Sequence, residues 1–273
     1  MEQKRWKGCV NIMRISVNCP SYKRPKVETL DYLPYCKVWV AENEYEKYLM
    51  ENKGFETNII SVPNEVQGNL CRIRNYILDK ELPNNDMVLI IDDDMQQIYR
   101  YERRGMYGYQ KHAVSADELL AVLEEYTNLC DEFGFKYWGI MCNADALSYR
   151  QTTPFSTVSY IGGPFQDFLH GNELRYDERL PLKEDYDMTL QNCNKYRGCL
   201  RVNSYFYDCK QSKQAGGCAT YRNYQRETEQ LELLQKKWGK SIVKIDNVVN
   251  QNAKRAKKNI DYNPIIRIPI KGV

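Results

Sequence analysis

The chain has 273 residues, of which 42% are hydrophobic, and this fits one large α/β domain or one domain with a small appendage. Its 39 Lys and Arg residues nearly balance its 36 Asp and Glu residues, which leaves a net charge of +3. That balance excludes nucleic-acid binding through bulk charge alone, so any site for a polyanion must come from local clusters of cations.

The cysteines and the apolar segments bear on the cellular compartment. None of the ten cysteines forms a C-x-x-C pair, and no His lies at zinc-finger spacing from them. The first seven residues are charged and lack the apolar core of a signal peptide, and no apolar run is long enough to cross a membrane. These features predict a cytoplasmic protein, located in the host-cell cytoplasm if it is viral, with free and mostly buried thiols and no membrane association.

The first half of the chain alternates between strand patterns and helix patterns. The run Met87–Ile91 is apolar without alternation, which is typical of a parallel strand buried on both faces. The predicted strands are 11–18, 37–41, 57–62 and 87–91, and the predicted helices between them are 44–53 and 68–82.

The second half is less regular. Its clearest helix is 115–133, because Ser115 and Glu118 form an S-x-x-E capping box and Gly134 follows the last turn. The other predicted elements are a strand at 137–142, short strands from 156 to 170, a helix at 184–195, a strand at 199–207 and a helix at 220–238. Together they predict an open α/β sheet, whose ligand binds at the carboxyl ends of its strands.

Three carboxylates, Asp92, Asp93 and Asp94, directly follow the apolar strand and are called here the acidic triplet. Alternate strand residues point the same way, so we expect Asp92 and Asp94 to converge while Asp93 points elsewhere. Carboxylate oxygens suit Mn²⁺ or Mg²⁺, which can bridge a diphosphate. The alternative is a solvated acidic turn, although three adjacent carboxylates would repel one another without a cation.

Glu184 and Asp185, called here the acid pair, open the predicted helix 184–195. A carboxylate in this place can remove the proton of an acceptor hydroxyl as a general base. The alternative is that acidic residues simply favour the positive end of a helix dipole.

Two further segments carry weaker signals. Arg72, in the segment 68–75, could meet a phosphate or sugar from the start of a helix, or could be an ordinary surface arginine. The segment 213–218, called here the glycine loop, joins Lys213 to Gly216 and Gly217. It could fold over a diphosphate, or it could be an ordinary flexible loop.

The order of these features resembles the GT-A fold of nucleotide-sugar glycosyltransferases. The loop 20–25, called here the first loop, resembles the P-x-Y-N-R-P-like loop of that family, with Lys23 in place of Asn. Segment 68–75 resembles the G-x-x-x-x-R-N helix, the acidic triplet resembles the D-x-D motif, and the acid pair, preceded by 176–179, resembles the E-D pair. The resemblance covers roughly residues 12–220, but no C-terminal His is present as a third metal ligand.

The resemblance implies a Rossmann-like, mixed and mainly parallel sheet flanked by helices, in a transferase domain at residues 1–240. Its donor half would be about residues 10–95 and its acceptor half about 96–240, followed by a basic C-terminal extension at 241–273. It also implies a divalent metal on Asp92 and Asp94, a catalytic role for Asp185 and Glu184, and a UDP-sugar or related donor. The implied donor-binding residues are Pro20, Tyr22, Lys23, Arg24, Glu42, Gly68, Arg72, Asp92, Asp93, Lys213, Gly216 and Gly217.

Within that fold, the chain is most similar to the phage-type TET-associated glycosyltransferases, through its compact length, P-S-Y-K-R-P loop, D-D-D strand end, E-D-Y-D segment and late G-G loop. That similarity implies DNA with 5-hydroxymethylcytosine or a related pyrimidine as acceptor. Cations mixed with aromatic residues at 99–104, and a second cluster at 254–258, could hold phosphates, or could be solvated surface. The implied acceptor residues are Arg103, Arg104, His170, Lys254, Arg255, Lys257 and Lys258.

Two other functions remain open on the sequence. One is a glycosyltransferase that acts on a protein, a glycan or a small molecule, since the shape of the acceptor surface is not visible in a sequence. The other is a nucleotide-binding or DNA-binding module without turnover, although pure binding does not need two sets of carboxylates.

Overall fold

The computed structural model describes residues 12–105, 108–142, 145, 149–210, 216–245 and 263–270. Five residues that the sequence assigns to donor or DNA binding lie outside the described residues, namely Lys213, Lys254, Arg255, Lys257 and Lys258. Within the described ranges, ten strands form one sheet whose two faces are covered by helices.

The strands of this sheet are β1 (Ile15–Pro20), β2 (Lys37–Ala41), β3 (Ile59–Val62), β4 (Met87–Ile91), β5 (Met95–Arg104), β6 (Gly108–Val114), β7 (Tyr137–Met141), β8 (Phe155–Ser156), β9 (Phe165–Leu169) and β10 (Leu200–Cys209). The helices are α1 (Thr29–Tyr32), α2 (Tyr45–Glu51), α3 (Leu70–Glu81), α4 (Ala116–Glu132), α5 (Glu184–Tyr196) and α6 (Tyr224–Trp238). None of the described helices combines the length and the apolar content needed to cross a bilayer. A small second sheet pairs β11 (Val243–Ile245) with β12 (Pro264–Ile266).

The strand order across the central sheet is β3-β2-β1-β4-β9-β7-β10-β5-β6, and β8 pairs with β10 beside this path. The strands from β3 to β4 are parallel neighbours, as are β7 and β10, whereas β9, β5 and β8 run in the opposite direction. The predicted mixed, mainly parallel sheet flanked by helices is therefore confirmed. Because parallel strands end at the same edge, the ends of β1, β2 and β4 lie side by side.

Strand β4 explains how the sheet separates two apolar layers. Met87, Leu89 and Ile91 pack in the cluster that α4 covers, whereas Val88 and Ile90 pack in the cluster that α3 covers on the other face. All five side chains are fully buried, and burial of each one contributes roughly 1.5–3 kcal/mol. The unbroken apolar run therefore fixes the position of the acidic triplet that follows it.

Capping side chains determine where two of the helices begin. Ser115 accepts a hydrogen bond from the Glu118 amide at 3.2 Å, and the Glu118 carboxylate accepts one from the Ser115 amide at 2.7 Å, which confirms the predicted capping box. Helix α6 begins at Tyr224, not at the predicted residue 220. The reason is Asn223, whose side chain accepts a hydrogen bond from the Arg226 amide at 2.9 Å and caps the helix there.

The hairpin of β5 and β6 is absent from the sequence prediction and corrects it. The two strands are antiparallel, with Ile98 paired to Val114 at one end and Arg104 paired to Gly108 at the other. The buried positions along β5 are Met95, Ile98 and Tyr101, three residues apart. The two-residue period that identifies a half-buried strand in a sequence is therefore missing.

The described part of the chain after residue 240 packs onto the central fold. Val243 is fully buried together with Leu231 and Leu234 of α6. Ile268 packs against that cluster and against the one that α3 covers. Asn263, which precedes β12, reaches the cleft described below.

One buried carboxyl group has only weak compensation for its loss of water, from the nearby Trp138 side chain. Asp167, in the middle of β9, is fully buried, and neither of its carboxyl oxygens has a hydrogen-bond partner among the described residues. Its removal from water raises the pKa of Asp167 well above its ordinary value, because burial disfavours the charged form.

We expect Asp167→Asn to change how stability depends on pH. The raised folded-state pKa means that the contribution of Asp167 to stability is fully present below the unfolded-state pKa, about 4, and is lost as the pH rises through the folded-state pKa. Urea unfolding at about pH 5 and about pH 8 should show the variant gaining free energy of unfolding relative to wild type at the higher pH. An equal difference at both pH values would contradict this account.

Candidate active site

A cleft of about 390 Å³ opens at the carboxyl ends of the parallel strands. This volume lies in the range of about 300–1,000 Å³ that is usual for ligand sites. The segments that line the cleft include the first loop, the start of α3, the acidic triplet, the chain before β9, the start of α5 and the chain from Gly217 to Arg222. The cleft therefore gathers the segments that the sequence singles out, although they are far apart along the chain.

The first loop forms one wall and is fixed by polar contacts. Ser21 donates a hydrogen bond to Asp93 Oδ2 at 2.5 Å and shares a second one, at 2.9 Å, with the Tyr48 hydroxyl. The Arg24 guanidinium is hydrogen-bonded to Asp93, and its Nη1 lies 3.5 Å from Asp94 Oδ2. Pro20 and Tyr22, which the sequence assigns to donor binding, also line the cleft.

The described part of the glycine loop lies directly against the first loop. The Gly217 amide donates a hydrogen bond to the Tyr22 carbonyl at 2.8 Å. Gly216 has a φ of +98°, and a Cβ atom on it would lie 2.6 Å from the Lys23 carbonyl oxygen. Only glycine fits this position, because both its φ and the close contact exclude a side chain. Gly217 lines the cleft, whereas Gly216 and Lys23 support its wall from outside.

The acidic triplet does not continue β4, which ends at Ile91. The expectation that Asp93 points away from Asp92 and Asp94 is wrong, because a turn does not preserve the alternation of a strand and all three residues line the cleft. Burial raises the pKa of Asp93 to about 6 against the opposing charge of Arg24. Burial and the charges of Asp92 and Asp93 raise the pKa of Asp94 to about 7.

Arg74, in α3, joins the acidic triplet to the acid pair. It is fully buried, and its Nη2 donates to Asp92 Oδ1 at 2.9 Å and to the Gly163 carbonyl at 3.0 Å. Its Nη1 donates to Glu184 Oε1 at 3.2 Å and to Gln166 Oε1 at 2.9 Å. One side chain therefore holds two carboxylates that are separated by more than ninety positions in the sequence.

Arg72, the arginine that the sequence assigns to the donor, lies elsewhere. Its Nε donates to Glu178 Oε2 at 2.9 Å, its side chain is 43% exposed, and it does not line the cleft. Residues two apart on an α-helix point about 200° apart, so only one of the two arginines can face the sheet. Arg74, and not Arg72, is the arginine that directly precedes Asn75 in this segment. The Asn75 side chain holds the backbone of Tyr176 through two hydrogen bonds.

The acid pair occupies the first turn of α5. Glu184 is buried, and burial together with the charge of Asp185 raises the pKa of Glu184 to about 8, although Arg74 opposes the shift. Asp185 is partly exposed and lines the cleft. Its Oδ2 accepts hydrogen bonds from the Tyr160 hydroxyl and, at 3.2 Å, from the Gly163 amide. The two neighbouring carboxyl groups thus have different environments, an arrangement that separates acid and base roles.

Four other predicted site residues lie away from the cleft. His170 follows β9, which is antiparallel to β4, so it lies at the opposite edge of the sheet, where its ring contacts the Leu82 carbonyl. Glu42 is exposed after β2 and does not line the cleft. Arg103 and Arg104 are exposed at the far end of β5, about 30 Å from its first residue at the rise of a strand.

The predictions for His170 and Glu42 therefore need correction. The sequence shows that both follow a strand, but not which edge of the sheet the end of a strand meets or whether a side chain turns inward. Conversely, Ser21, Arg74 and Tyr160 lie in the site without having been predicted. Tyr160 could have been suspected from its position three residues before Gly163, where the chain passes beside the acid pair.

Comparisons with known proteins find similarity in structure but none in sequence. No family model matches the sequence, and no curated protein is recognisably similar to it. The chain is similar in structure to residues 1–349 of TarS from S. aureus, with 14% identity, a TM-score of 0.43, and coverage of 84% of this chain and 73% of that one. A longer TarS structure has 14% identity and a TM-score of 0.39, with coverage of 71% of this chain and 36% of that one. A 4-diphosphocytidyl-2C-methyl-D-erythritol synthase from Anaerococcus prevotii has 11% identity and a TM-score of 0.39, with coverage of 81% of this chain and 96% of that one.

Similarity at these TM-scores does not assign the chain to a family. The function is therefore inferred from the residues that line the cleft.

Proposed function

We propose that the protein is a glycosyltransferase that moves a sugar from a nucleotide-sugar donor, such as a UDP-sugar, to a hydroxyl group of an acceptor. The observation that carries this proposal is that the acidic triplet and the acid pair meet in one cleft through Arg74. Metal-assisted sugar transfer with inversion at the anomeric carbon uses both kinds of carboxylate, one set near a diphosphate leaving group and one group that receives the proton of the attacking hydroxyl. The motif order shared with GT-A glycosyltransferases supports the same function.

The acidic triplet fits a divalent ion, Mn²⁺ or Mg²⁺. Asp92 and Asp94 both line the cleft, and each has one carboxylate oxygen without a hydrogen bond from another described residue. Within the described ranges, no group of three His, Cys, Asp or Glu side chains could hold a metal by itself. This arrangement suits an ion that takes its remaining ligands from water and phosphate. Such an ion would supply positive charge to a departing diphosphate.

Asp185 is the proposed general base. It would accept the proton of the acceptor hydroxyl while the hydroxyl oxygen bonds to the anomeric carbon and the bond from that carbon to the donor phosphate breaks. The Gly163 amide and the Tyr160 hydroxyl hold the Asp185 carboxylate in one orientation toward the cleft. Glu184, with its raised pKa, would support the base from behind and not compete with it for the proton.

Sugar transfer and metal dependence can be tested with one variant. Asp94→Asn should remove most turnover with a panel of nucleotide sugars and Mn²⁺. The substitution weakens the proposed metal site but keeps the size and shape of the buried side chain. Asp31→Asn, which changes an exposed carboxylate paired with Lys26, is the matched control and should keep full activity. The metal assignment is wrong if Asp94→Asn and the chelator-treated wild type both turn over normally.

We further propose DNA that carries a hydroxymethylpyrimidine as the acceptor. The similarity to the TET-associated glycosyltransferases supports this, as do the exposed Arg103 and Arg104 at the far end of β5. The distance of about 30 Å between them and the first residue of β5 corresponds to about nine base pairs of duplex. The hydroxymethyl group lies in the major groove, so its entry into a cleft would require base flipping.

The acceptor proposal predicts a dependence on salt. Phosphate contacts release counterions, so binding of hydroxymethylated DNA should weaken steeply with salt, and neutralising Arg103 and Arg104 together should flatten that slope by about one unit per lost contact. Donor hydrolysis without DNA should not change, because both residues are remote from the cleft. Sugar incorporation is compared between hydroxymethylated and unmodified DNA by nucleoside mass spectrometry. Transfer of the sugar to a protein or a glycan, without transfer to hydroxymethylated or unmodified DNA, would reject the DNA acceptor. It would leave the glycosyltransferase proposal intact.

A further inference from the structure

Helix α6 holds the two residues that precede the acid pair. The Leu182 amide donates a hydrogen bond to Gln230 Oε1 at 2.7 Å, and the Lys183 ammonium donates one to Glu227 Oε2. Gln230 and Glu227 lie three positions apart, on one face of α6. The side chains of Lys183 and Glu227 are only 2% and 1% exposed. The chain therefore enters α5 along a buried, polar contact with α6.

Helix α6 also holds α5 just after the acid pair. Asp187 is fully buried, and its carboxylate accepts hydrogen bonds from the Trp238 indole at 2.7 Å and from the Lys237 ammonium at 2.8 Å. Both donors belong to the last turn of α6. The first turn of α5, which carries Asp185 into the cleft, is therefore fixed by side chains of α6 on both sides.

Lys183 is an unusual residue for the place that it occupies. It is the N-cap residue of α5, and its side chain makes no capping hydrogen bond with the helix. Ser, Thr, Asp and Asn are preferred there, and a positive charge is unfavourable at the positive end of a helix dipole. The local sequence therefore does not explain why Lys183 lies at the start of α5. Its ion pair with Glu227 compensates the positive charge and fixes its position.

Stability does not explain the buried pair either. The desolvation of two charges offsets much of their mutual attraction, so a buried ion pair often contributes no more than an apolar pair of similar volume. The difference is direction, since a charge-assisted hydrogen bond requires a definite geometry and an apolar contact does not. Glu227 Oε1 also lies 3.1 Å from Nε of Arg222, which lines the cleft. Glu227 therefore contacts both the cleft wall and the residue that precedes the acid pair.

We propose that Glu227 is a positioning residue for Asp185, the proposed general base, and that it acts through Lys183. The ion pair holds the first turn of α5 in the orientation that directs the Asp185 carboxylate at the acceptor hydroxyl. This inference rests on the proposed function, because it requires Asp185 to receive a proton during sugar transfer. Its consequence is that loss of the ion pair lowers kcat while the cleft still binds the donor.

The test compares Lys183→Met with the double variant Lys183→Met/Glu227→Leu, in which an apolar pair replaces the ion pair. Lys183→Met leaves Glu227 its contact with Arg222. Both variants should lower kcat about tenfold or more, because a displacement of about 1 Å at a catalytic group is enough for such a loss. The donor KM should change less than about twofold. Glu229→Gln changes an exposed carboxylate two positions along α6 and should match wild type in both constants.

The double variant also separates positioning from stability. Its free energy of unfolding in urea should be close to that of wild type, so unfolding does not account for a lower kcat. A loss of kcat that follows the loss of stability across the variants would identify the pair as structural. If Lys183→Met or the double variant does not fold, judged by circular dichroism, Glu227→Asp decides. That change keeps the charge but withdraws it by one methylene, and kcat should still fall about threefold or more.

The outcomes separate the inference from the function on which it rests. Wild type that transfers no sugar would reject the proposed function and the inference with it. Wild-type kcat in the folded variants would overturn the inference alone. A kcat that falls only in the double variant would assign the effect to Arg222 and would also overturn it. So would a donor KM that rises as much as kcat falls, because the cleft wall and not the base would then have moved.

Discussion

Asp185→Asn is expected to lower kcat roughly a hundredfold or more while the KM for the donor changes little. Asparagine has nearly the shape of aspartate and can keep the contacts with the Gly163 amide and the Tyr160 hydroxyl, although its amide cannot accept a proton at neutral pH. The loss therefore falls on the chemical step. Steady-state kinetics with varied donor and a fixed acceptor would measure both constants.

Glu184→Gln provides the matched control on the adjacent residue. Glutamine keeps the size of this side chain and an oxygen that can accept from Arg74, and burial beside Asp185 already favours the neutral form by raising the pKa of Glu184. Its kcat should fall much less than that of Asp185→Asn. A larger loss of kcat in Glu184→Gln than in Asp185→Asn would make Glu184 the general base and Asp185 its support. A loss of donor binding in Asp185→Asn would move Asp185 to the donor site.

Arg74→Met is expected to lower the free energy of unfolding by about 3–5 kcal/mol. The change leaves Glu184 buried without its cation and removes the partner of Asp92. It also leaves the Gly163 carbonyl without its donor and removes one of the two donors to Gln166 Oε1, the other being the Tyr176 hydroxyl. A methionine fills much of the volume, so the loss comes from electrostatics and not from a cavity. Urea unfolding followed by circular dichroism gives the value.

Arg72→Met is the control for this experiment. Arg72 lies two residues away on the same helix and pairs with Glu178, but both side chains are more than 40% exposed. An exposed ion pair contributes at most about 1 kcal/mol, so this variant should stay close to wild type in stability and in donor KM. Equal destabilisation by the two substitutions would mean that Arg74 stabilises the helix and not the carboxylate network.

Local sequence patterns predicted the elements whose signals lie within a few residues. The strand Met87–Ile91 was predicted with its observed bounds, because an unbroken apolar run must be shielded on both faces. The start of α4 was predicted equally well, since a capping box is a contact between residues three positions apart. The hairpin of β5 and β6 was missed because its burial pattern depends on what covers each strand.

The sequence by itself determined that carboxylates follow β4 and open α5, and that these belong to an α/β sheet with helices on both faces. Only the tertiary structure decided which side chains meet. It brought Arg74 to both Asp92 and Glu184, directed Arg72 away, and placed His170 at the opposite edge of the sheet. Such contacts join residues tens of positions apart. They therefore depend on the rotation of each helix against the sheet and on the order of the strands within the sheet. A local pattern of hydrophobicity records only which residues are buried, and not the partners among which they are buried.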